Sequence, residues 1–366
     1  MTPLVARETG SPAVHDGGET LGVLVVNLGT PDAPTPAALR RYLRQFLSDT
    51  RVVELPPWLW FPVLHGFVLR VRPARSAAMY RQIWTERGSP LLFHSLDLAR
   101  ALQAALTQRL DRRVVVELGM SYGKPSIDSA LQKLEEQGAG RIVALPLYPQ
   151  YAASTTGSAF DRLARALAAR RRVPGVTFID QYHDETGYIA AIAGSVREFR
   201  ERYGRGERLL FSFHGLPRRM VEKGDPYAEQ CRTTAKLVAE ALGLGQDEWE
   251  VAFQSRVGRQ AWLEPYTEDT IASWGRKGMQ KVDAVCPGFA VDCLETLEEV
   301  RLRYAEAFNA AGGGELRYIP ALNERPEHVE FLGGLIARYA PDTSGNRPEA
   351  PRAPPGPPRI DAGGAS

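Results

Sequence analysis

The sequence is short of cysteine. Three residues, Cys231, Cys286 and Cys293, stand in a chain of 366. That excludes a disulfide framework and leaves no set of four thiolates for a structural zinc or an iron–sulfur cluster. It fits a reducing cytoplasm. Charge of one sign is missing as well: 45 basic residues face 43 acidic ones, a formal net charge of +2. Such a balance offers no footprint for nucleic acid. The densest basic run, "RLARALAARRR" at 162–172, reads as the solvated face of a helix. No apolar run reaches the roughly 20 residues of a spanning helix. The longest, "LPPWLWFPVLHGFVLRV" at 55–71, carries three prolines in 17 residues. It reads either as a core segment, which composition favours, or as an exposed apolar lip for a greasy ligand or a membrane. Glycine motifs for nucleotides are poor. "GAGRIV" at 138–143 precedes a strand, where a dinucleotide fingerprint follows one, and no G-x-x-x-x-G-K-[ST] occurs. The segment 1–20 has neither the basic start nor the apolar centre of a signal peptide and reads as disordered, as does the Pro/Gly-rich tail 341–366.

What is present is alternation. Short apolar, β-branched runs at 22–28, 114–120, 141–147, 176–180, 208–213, 250–255, 281–286 and 315–320 predict strands. They are continuous rather than alternating, as in strands covered on both faces. Helical spacing lies between them, at 35–47, 96–110, 190–203 and 292–308. Thr35 and Pro36 supply a cap and a first helical residue. Strand–helix alternation without hairpin turns predicts an α/β fold with parallel sheets. The eight strands divide into two sets of four, and corresponding strands end alike: "NLGTP" beside "FHGLP", "MSYGKP" beside "QSRVGR", "LPLYPQY" beside "VCPGFAVD". An ancient duplication and shared strand-end chemistry both account for the likeness.

In open parallel sheets ligands sit beyond the carboxyl ends of the strands. The unusual polar and aromatic residues gather there, and two facing domains would bring both sets to one cleft. His214 closes the apolar run "LLFSFH". It reads equally as an inert, hydrogen-bonded strand-end residue and as a group at a favoured catalytic position, able to take a proton near neutral pH. On a regular helix Asp292, Glu295 and Glu299 fall in one column, within about 60° of arc. Asp292 with Glu295 three residues on also makes a capping box, and that reading prevails for Asp292. It accounts less well for Glu299. "STTG" at 154–157 and "QSRVGRQAW" at 254–262 read on their own as cap and turn chemistry.

Taken together, "VVNLGTPDAP", "YPQYAASTTGS", "SFHGLPRRMVEKGDPY", "QSRVGRQAWLEPYTEDT" and "VCPGFAVDCLETLEE" resemble ferrochelatases, in family order over about residues 21–335. The resemblance implies two Rossmann-like domains around a porphyrin cleft, each a four-stranded parallel sheet flanked by helices. Their limits would be 21–188 and 189–324, with a helix over 325–340 packing back on the first. It implies insertion of Fe²⁺ into protoporphyrin IX with loss of two protons, in the cytoplasm, without an organic cofactor or an iron–sulfur cluster. His214 and Glu295 match the catalytic and metal-binding pair, and Asp292 and Glu299 extend an acidic path for protons or iron. Leu28, Arg81, Tyr122, Tyr148, Tyr227, Ser255, Trp262 and Phe289 match porphyrin-binding positions. Leu28 stands where enzymes for the more carboxylated coproporphyrin tend to carry tyrosine. Residues 55–71 match the family's lip, with a peripheral membrane contact. The chain departs from the family pattern at Ser121, with Lys124 close by, and at Gln82 beside Arg81. The rival readings are a chelatase for coproporphyrin or sirohydrochlorin and a non-catalytic porphyrin- or haem-binding module.

Overall fold

Local chemistry starts the helices where the sequence places them. Thr35 is extended, and its hydroxyl accepts from the Ala38 amide at the head of helix Pro36–Leu47, with Pro36 following it. Ser126 caps Ile127–Glu136 in the same way, at 3.1 Å from the Ser129 amide. Each such cap is worth about 1 kcal/mol. The computed structural model describes residues 20–340 apart from Arg259. The disordered segments expected over 1–20 and 341–366 lie outside the described residues, Thr20 excepted.

Eight parallel strands form two sheets. β1 (Thr20–Gly29), β2 (Val114–Tyr122), β3 (Ala139–Pro146) and β4 (Gly175–Phe178) lie in the order β2-β1-β3-β4. β5 (Arg208–His214), β6 (Trp249–Gln254), β7 (Lys281–Val285) and β8 (Glu315–Tyr318) repeat it as β6-β5-β7-β8. Along β1, Val23 and Val25 enter one apolar cluster while Leu24 and Val26 enter another on the opposite face. A strand covered on both sides has no face left for polar residues, hence its unbroken apolar run. Leu209, Phe211 and Phe213 of β5 join the cluster of Val23 and Val25. One core therefore serves both sheets. It is filled by helices Pro90–Arg109, Thr186–Tyr203 and Pro326–Tyr339, the last packed on the other two.

Two segments depart from expectation. The helix expected over 292–308 is a π-helix over Glu295–Tyr304, followed by α-helix Ala305–Ala310. Hydrogen bonds that reach five residues back widen the turn. The even 100° spacing that aligned the acidic residues therefore does not hold. The stretch 55–71, assigned to the core by composition, instead runs through helix Pro57–Val63, a π-turn Leu64–Val68 and the start of helix Leu69–Ile83. Leu64 and Leu69 anchor it, while Trp58 is 74% and Phe67 65% exposed. No helix among the described residues is long and apolar enough to cross a membrane.

Candidate active site

β5 is buried through Phe213 and surfaces at His214, which is half-buried. The imidazole Nδ1 lies 2.7 Å from the carbonyl oxygen of Gly215. A carbonyl only accepts, so Nδ1 carries a proton, and in the neutral imidazole the lone pair sits on Nε2. Nothing among the described residues hydrogen-bonds to Nε2. The turn that holds the ring needs glycine. A Cβ on Gly215 would lie 2.7 Å from the Gln254 carbonyl oxygen and 3.1 Å from the Trp262 ring. Trp262 covers that glycine and donates its indole N–H to Val257 O at 2.9 Å.

Gln254 links the strand to the acidic segment. It is the register partner of His214 in the parallel β5–β6 pair. Its Oε1 accepts from Ser212 at 2.7 Å, and its Nε2 donates to the Glu295 carbonyl at 2.9 Å. One buried amide thus ties the end of β5 to the first residue of the π-helix.

The three carboxylates expected in one column diverge. Glu295 is half-buried and faces the helices of the other sheet. Burial raises the Tyr80 hydroxyl above its ordinary value, and the Glu295 charge adds to the rise. Tyr42 is raised by burial, with Tyr80 and Glu295 contributing. Burial lowers the Arg72 guanidinium, against the pull of Tyr42 and Glu295. Asp292 turns the other way and is buried. Its carboxylate accepts from Thr296 (2.9 Å), Tyr318 (2.6 Å), the Asn323 side chain (2.8 Å) and the Ala321 amide (3.4 Å). The capping box expected between Asp292 and Glu295 does not form. Leu294 occupies the cap position, and Asp292 lies two residues further out, turned toward the loop after β8. Glu299 accepts from the Ser255 amide (2.9 Å) and hydroxyl, from Tyr304 (2.7 Å) and from Gln254 (3.4 Å). Ser255 is held there with φ at +64°, in the left-handed region.

The other candidates divide. Leu28 packs in one apolar cluster with Trp60 of the lip and with Leu294 and Leu297 on either side of Glu295. Tyr227 is buried in the shared core, and the half-buried Phe289 packs against it. Tyr148 is half-buried, and its hydroxyl and that of Ser121 approach each other without a hydrogen bond of ordinary geometry. Arg81 is exposed and donates to the Pro34 carbonyl at 3.4 Å. Tyr122 lies inside. It is 1% exposed, its hydroxyl bonds Asp49 and Ser158 at 3.0 Å each, and the Arg162 guanidinium covers its ring. Burial alone would raise the Asp49 carboxyl beneath it. Donors from Ser158, the Arg51 amide and Tyr122 outweigh that and hold it below the usual carboxylate range.

Sequence reading missed Arg72, Gln254 and Asn323. Arg72 directly follows the lip run and makes no ion pair or hydrogen bond among the described residues. A polar residue at the end of a buried strand was the one available signal for Gln254.

A family model described as ferrochelatase matches residues 20–340. The chain is 53% identical to a ferrochelatase of Thioalkalivibrio sulfidiphilus, over 88% of this chain and 88% of that one. It is 52% identical to a ferrochelatase of Nitrosococcus oceani, over 89% and 88%. It is 51% identical to ferrochelatase 1 of Shewanella oneidensis, over 86% and 94%. Among solved structures, SirB from Bacillus subtilis with Fe³⁺ matches at a TM-score of 0.53 and 13% identity, covering 89% of this chain and 98% of that one. At that identity the match speaks for the chelatase-like fold alone.

Proposed function

The chain belongs to the ferrochelatase family, enzymes that insert ferrous iron into a porphyrin in haem synthesis, and from that premise we propose how its residues carry the reaction. His214 Nε2 takes a proton from a porphyrin N–H. Glu295 serves as the second acceptor and as an oxygen ligand to the incoming ion. Two N–H protons leave, Fe²⁺ enters, and the charges balance without oxidation or reduction. The observation that carries this reading is the imidazole itself. Nδ1–H is fixed on the Gly215 carbonyl, so Nε2 alone is open to gain a proton or bind a metal. A nitrogen and a carboxylate oxygen are suitable ferrous ligands.

In this reading the domains 21–188 and 189–324 enclose the macrocycle, with 325–340 closing back on the first. Leu28, Tyr148, Tyr227, Trp262 and Phe289 offer apolar and aromatic surface to a flat ring. Ser255 and Arg81 lie at its polar edge. Arg72 gives the strongest support for an anionic substrate edge: its half-buried guanidinium has no hydrogen bond or ion pair among the described residues and is free to meet a carboxylate. Asp292 and Glu299 continue the acidic path behind Glu295, each as a carboxylate already filled with donors. Leu28 favours protoporphyrin IX over coproporphyrin. No organic cofactor or iron–sulfur cluster is needed. Burial pushes all three thiols well above their ordinary value, which disfavours the thiolates a cluster requires.

The lip supports a peripheral contact with the cytoplasmic face of a membrane. Trp58 and Phe67 are its exposed tips, with Arg70 and Arg75 exposed beside them. Trp60 is an anchor, since its indole donates to the Leu47 carbonyl at 2.6 Å.

The test is anaerobic iron insertion with protoporphyrin IX and coproporphyrin III compared side by side. Faster turnover of protoporphyrin IX is expected. Preference for coproporphyrin III would move the chain to the rival chelatase, and binding without turnover would make it a porphyrin-binding module.

A further inference from the structure

The segment that leads into the π-helix is held from behind, by a residue 31 positions away in sequence. Asp292 donates its amide to Asn323 Oδ1 at 2.8 Å, and Asn323 Nδ2 donates back to Asp292 Oδ2 at 2.8 Å. The two residues thus form a closed pair. Asn323 is itself pinned. Its amide donates to the Ala290 carbonyl at 2.9 Å, and its carbonyl accepts from His328 Nδ1 at 2.7 Å. Its φ is +48°, left-handed backbone that asparagine tolerates better than most residues. His328 is fully buried on helix Pro326–Tyr339, with its second ring nitrogen unpartnered.

The pair acts on the next turn of the chain. Asp292 Oδ1 accepts from Thr296, whose hydroxyl accepts in turn from the Cys293 amide at 3.0 Å. The turn 292–296 is therefore latched at both ends, and Glu295 lies inside it. Two further contacts bear on Glu295. Its carbonyl is held by Gln254 from the β5–β6 edge, and its carboxylate meets the Cys293 thiol inside the same turn.

We propose that Asn323 is a positioning residue for iron insertion: through its two-bond pair with Asp292 it sets the turn that aims Glu295 at the porphyrin side. This rests on the proposed role of Glu295. Asn323 does not touch substrate. It lines an open cavity of about 400 Å³ on the far side, between helix Thr186–Tyr203 and the loop after β8. That position decides the test. Water can enter where the side chain is removed, and glycine accepts the left-handed backbone, so truncation leaves the fold in place.

The experiment compares Asn323→Gly and Asn323→Asp with the unaltered chain, reading kcat and KM for iron insertion, protoporphyrin IX binding by fluorescence, and thermal melting. Asn323→Asp keeps the acceptor for the Asp292 amide but sets a second carboxylate against Oδ2. Both variants are expected to lose at least tenfold in kcat, with KM and dissociation constant for the porphyrin changed less than threefold. Folded Asn323→Gly protein within twofold of the original kcat overturns the proposal, as does a loss confined to porphyrin affinity. If the glycine variant fails to fold, the same criteria apply to Asn323→Asp. Glu295→Gln is measured in parallel. If it turns over normally, the assignment of Glu295 has failed, and an Asn323 effect would then have to act elsewhere.

Discussion

The ends of β1 and β5 occupy the same place in two sheets of the same strand order, yet one is closed and the other open. At the end of β1 the polar groups of Asn27, Gly29 and Thr30 find neighbours. Asn27 donates to Ser95 at 3.0 Å and accepts from the Leu28 amide at 2.8 Å. Thr30 and Ser89 share a hydrogen bond of 2.7 Å, and Tyr42 donates to the Gly29 carbonyl at 3.1 Å. The side chain turned outward is Leu28. At the end of β5 stands His214, with one ring nitrogen committed and the other free. The scaffold is common to both halves. The proposed chemistry resides where the fold leaves one polar atom without a partner.

A second comparison makes the point within one residue type. His214 and His328 each place Nδ1 at 2.7 Å from a backbone carbonyl. His328 lies wholly inside, and burial pushes it down to about 4. His214 stands at a strand end with a face toward solvent. The same bond serves packing in one place and, in the proposed reading, reactivity in the other.

The largest effect that would break the first comparison is at β5. His214→Ala is expected to lose about 10²–10⁴ in kcat, the range of one general acid–base group, while porphyrin binding persists. Anaerobic haem formation and fluorescence titration measure the two. Undiminished turnover would mean that the open nitrogen does nothing.

At β1 the expected effect is on folding. Gly29 has φ at +108°, and a Cβ there would lie 1.7 Å from the Tyr122 carbonyl oxygen. Gly29→Ala should destabilise the protein by more than about 3 kcal/mol in urea unfolding. A smaller loss would show that this end has more room than its closed network implies.

The histidine pair is sharpened by pH. An unfolded histidine titrates near about 6.5, and folded His328 near about 4. The unfolded chain therefore binds the extra proton first as pH falls. The stability held by neutral His328 is complete above about pH 6.5 and is lost on the way down to about pH 4, about 3 kcal/mol in all. His328→Gln should flatten unfolding free energy across that window. An unchanged slope would assign the acid sensitivity to other groups.

The smallest stability effect is expected on the lip. Trp58→Ser with Phe67→Ser removes exposed apolar surface, so unfolding free energy should stay within about 0.5 kcal/mol. Flotation with anionic vesicles should fall in the same variant. A large stability loss would mean that these side chains are packed rather than presented.

Much of this was legible in the chain. The eight strands, their division into four and four, the cap at Thr35 and the resemblance carried by the strand-end motifs all lie in local pattern. A strand buried on both faces must read as one apolar run, and a capped helix must start at its cap. Less legible was the acidic segment. Asp292, Glu295 and Glu299 share a face only if one regular helix carries all three, but Asp292 stands before the helix and the π-turns change the spacing of the other two, so each meets a different set of partners. The partners of Tyr122 were hidden for a related reason. Its motif marks a strand end, but Asp49, 73 residues away, takes its hydroxyl.

Read alone, the residue order determined which segments are strands and helices, which ends carry polar chemistry, and that His214 closes an apolar strand. Those features depend on neighbours a few positions apart. Only the tertiary structure decided which nitrogen of that histidine is free, where each carboxylate turns, and that Asn323 grips Asp292. A hydrogen bond has a reach of about 3 Å in space and no fixed reach in sequence, so whether a polar atom is satisfied is settled by the chain folded around it.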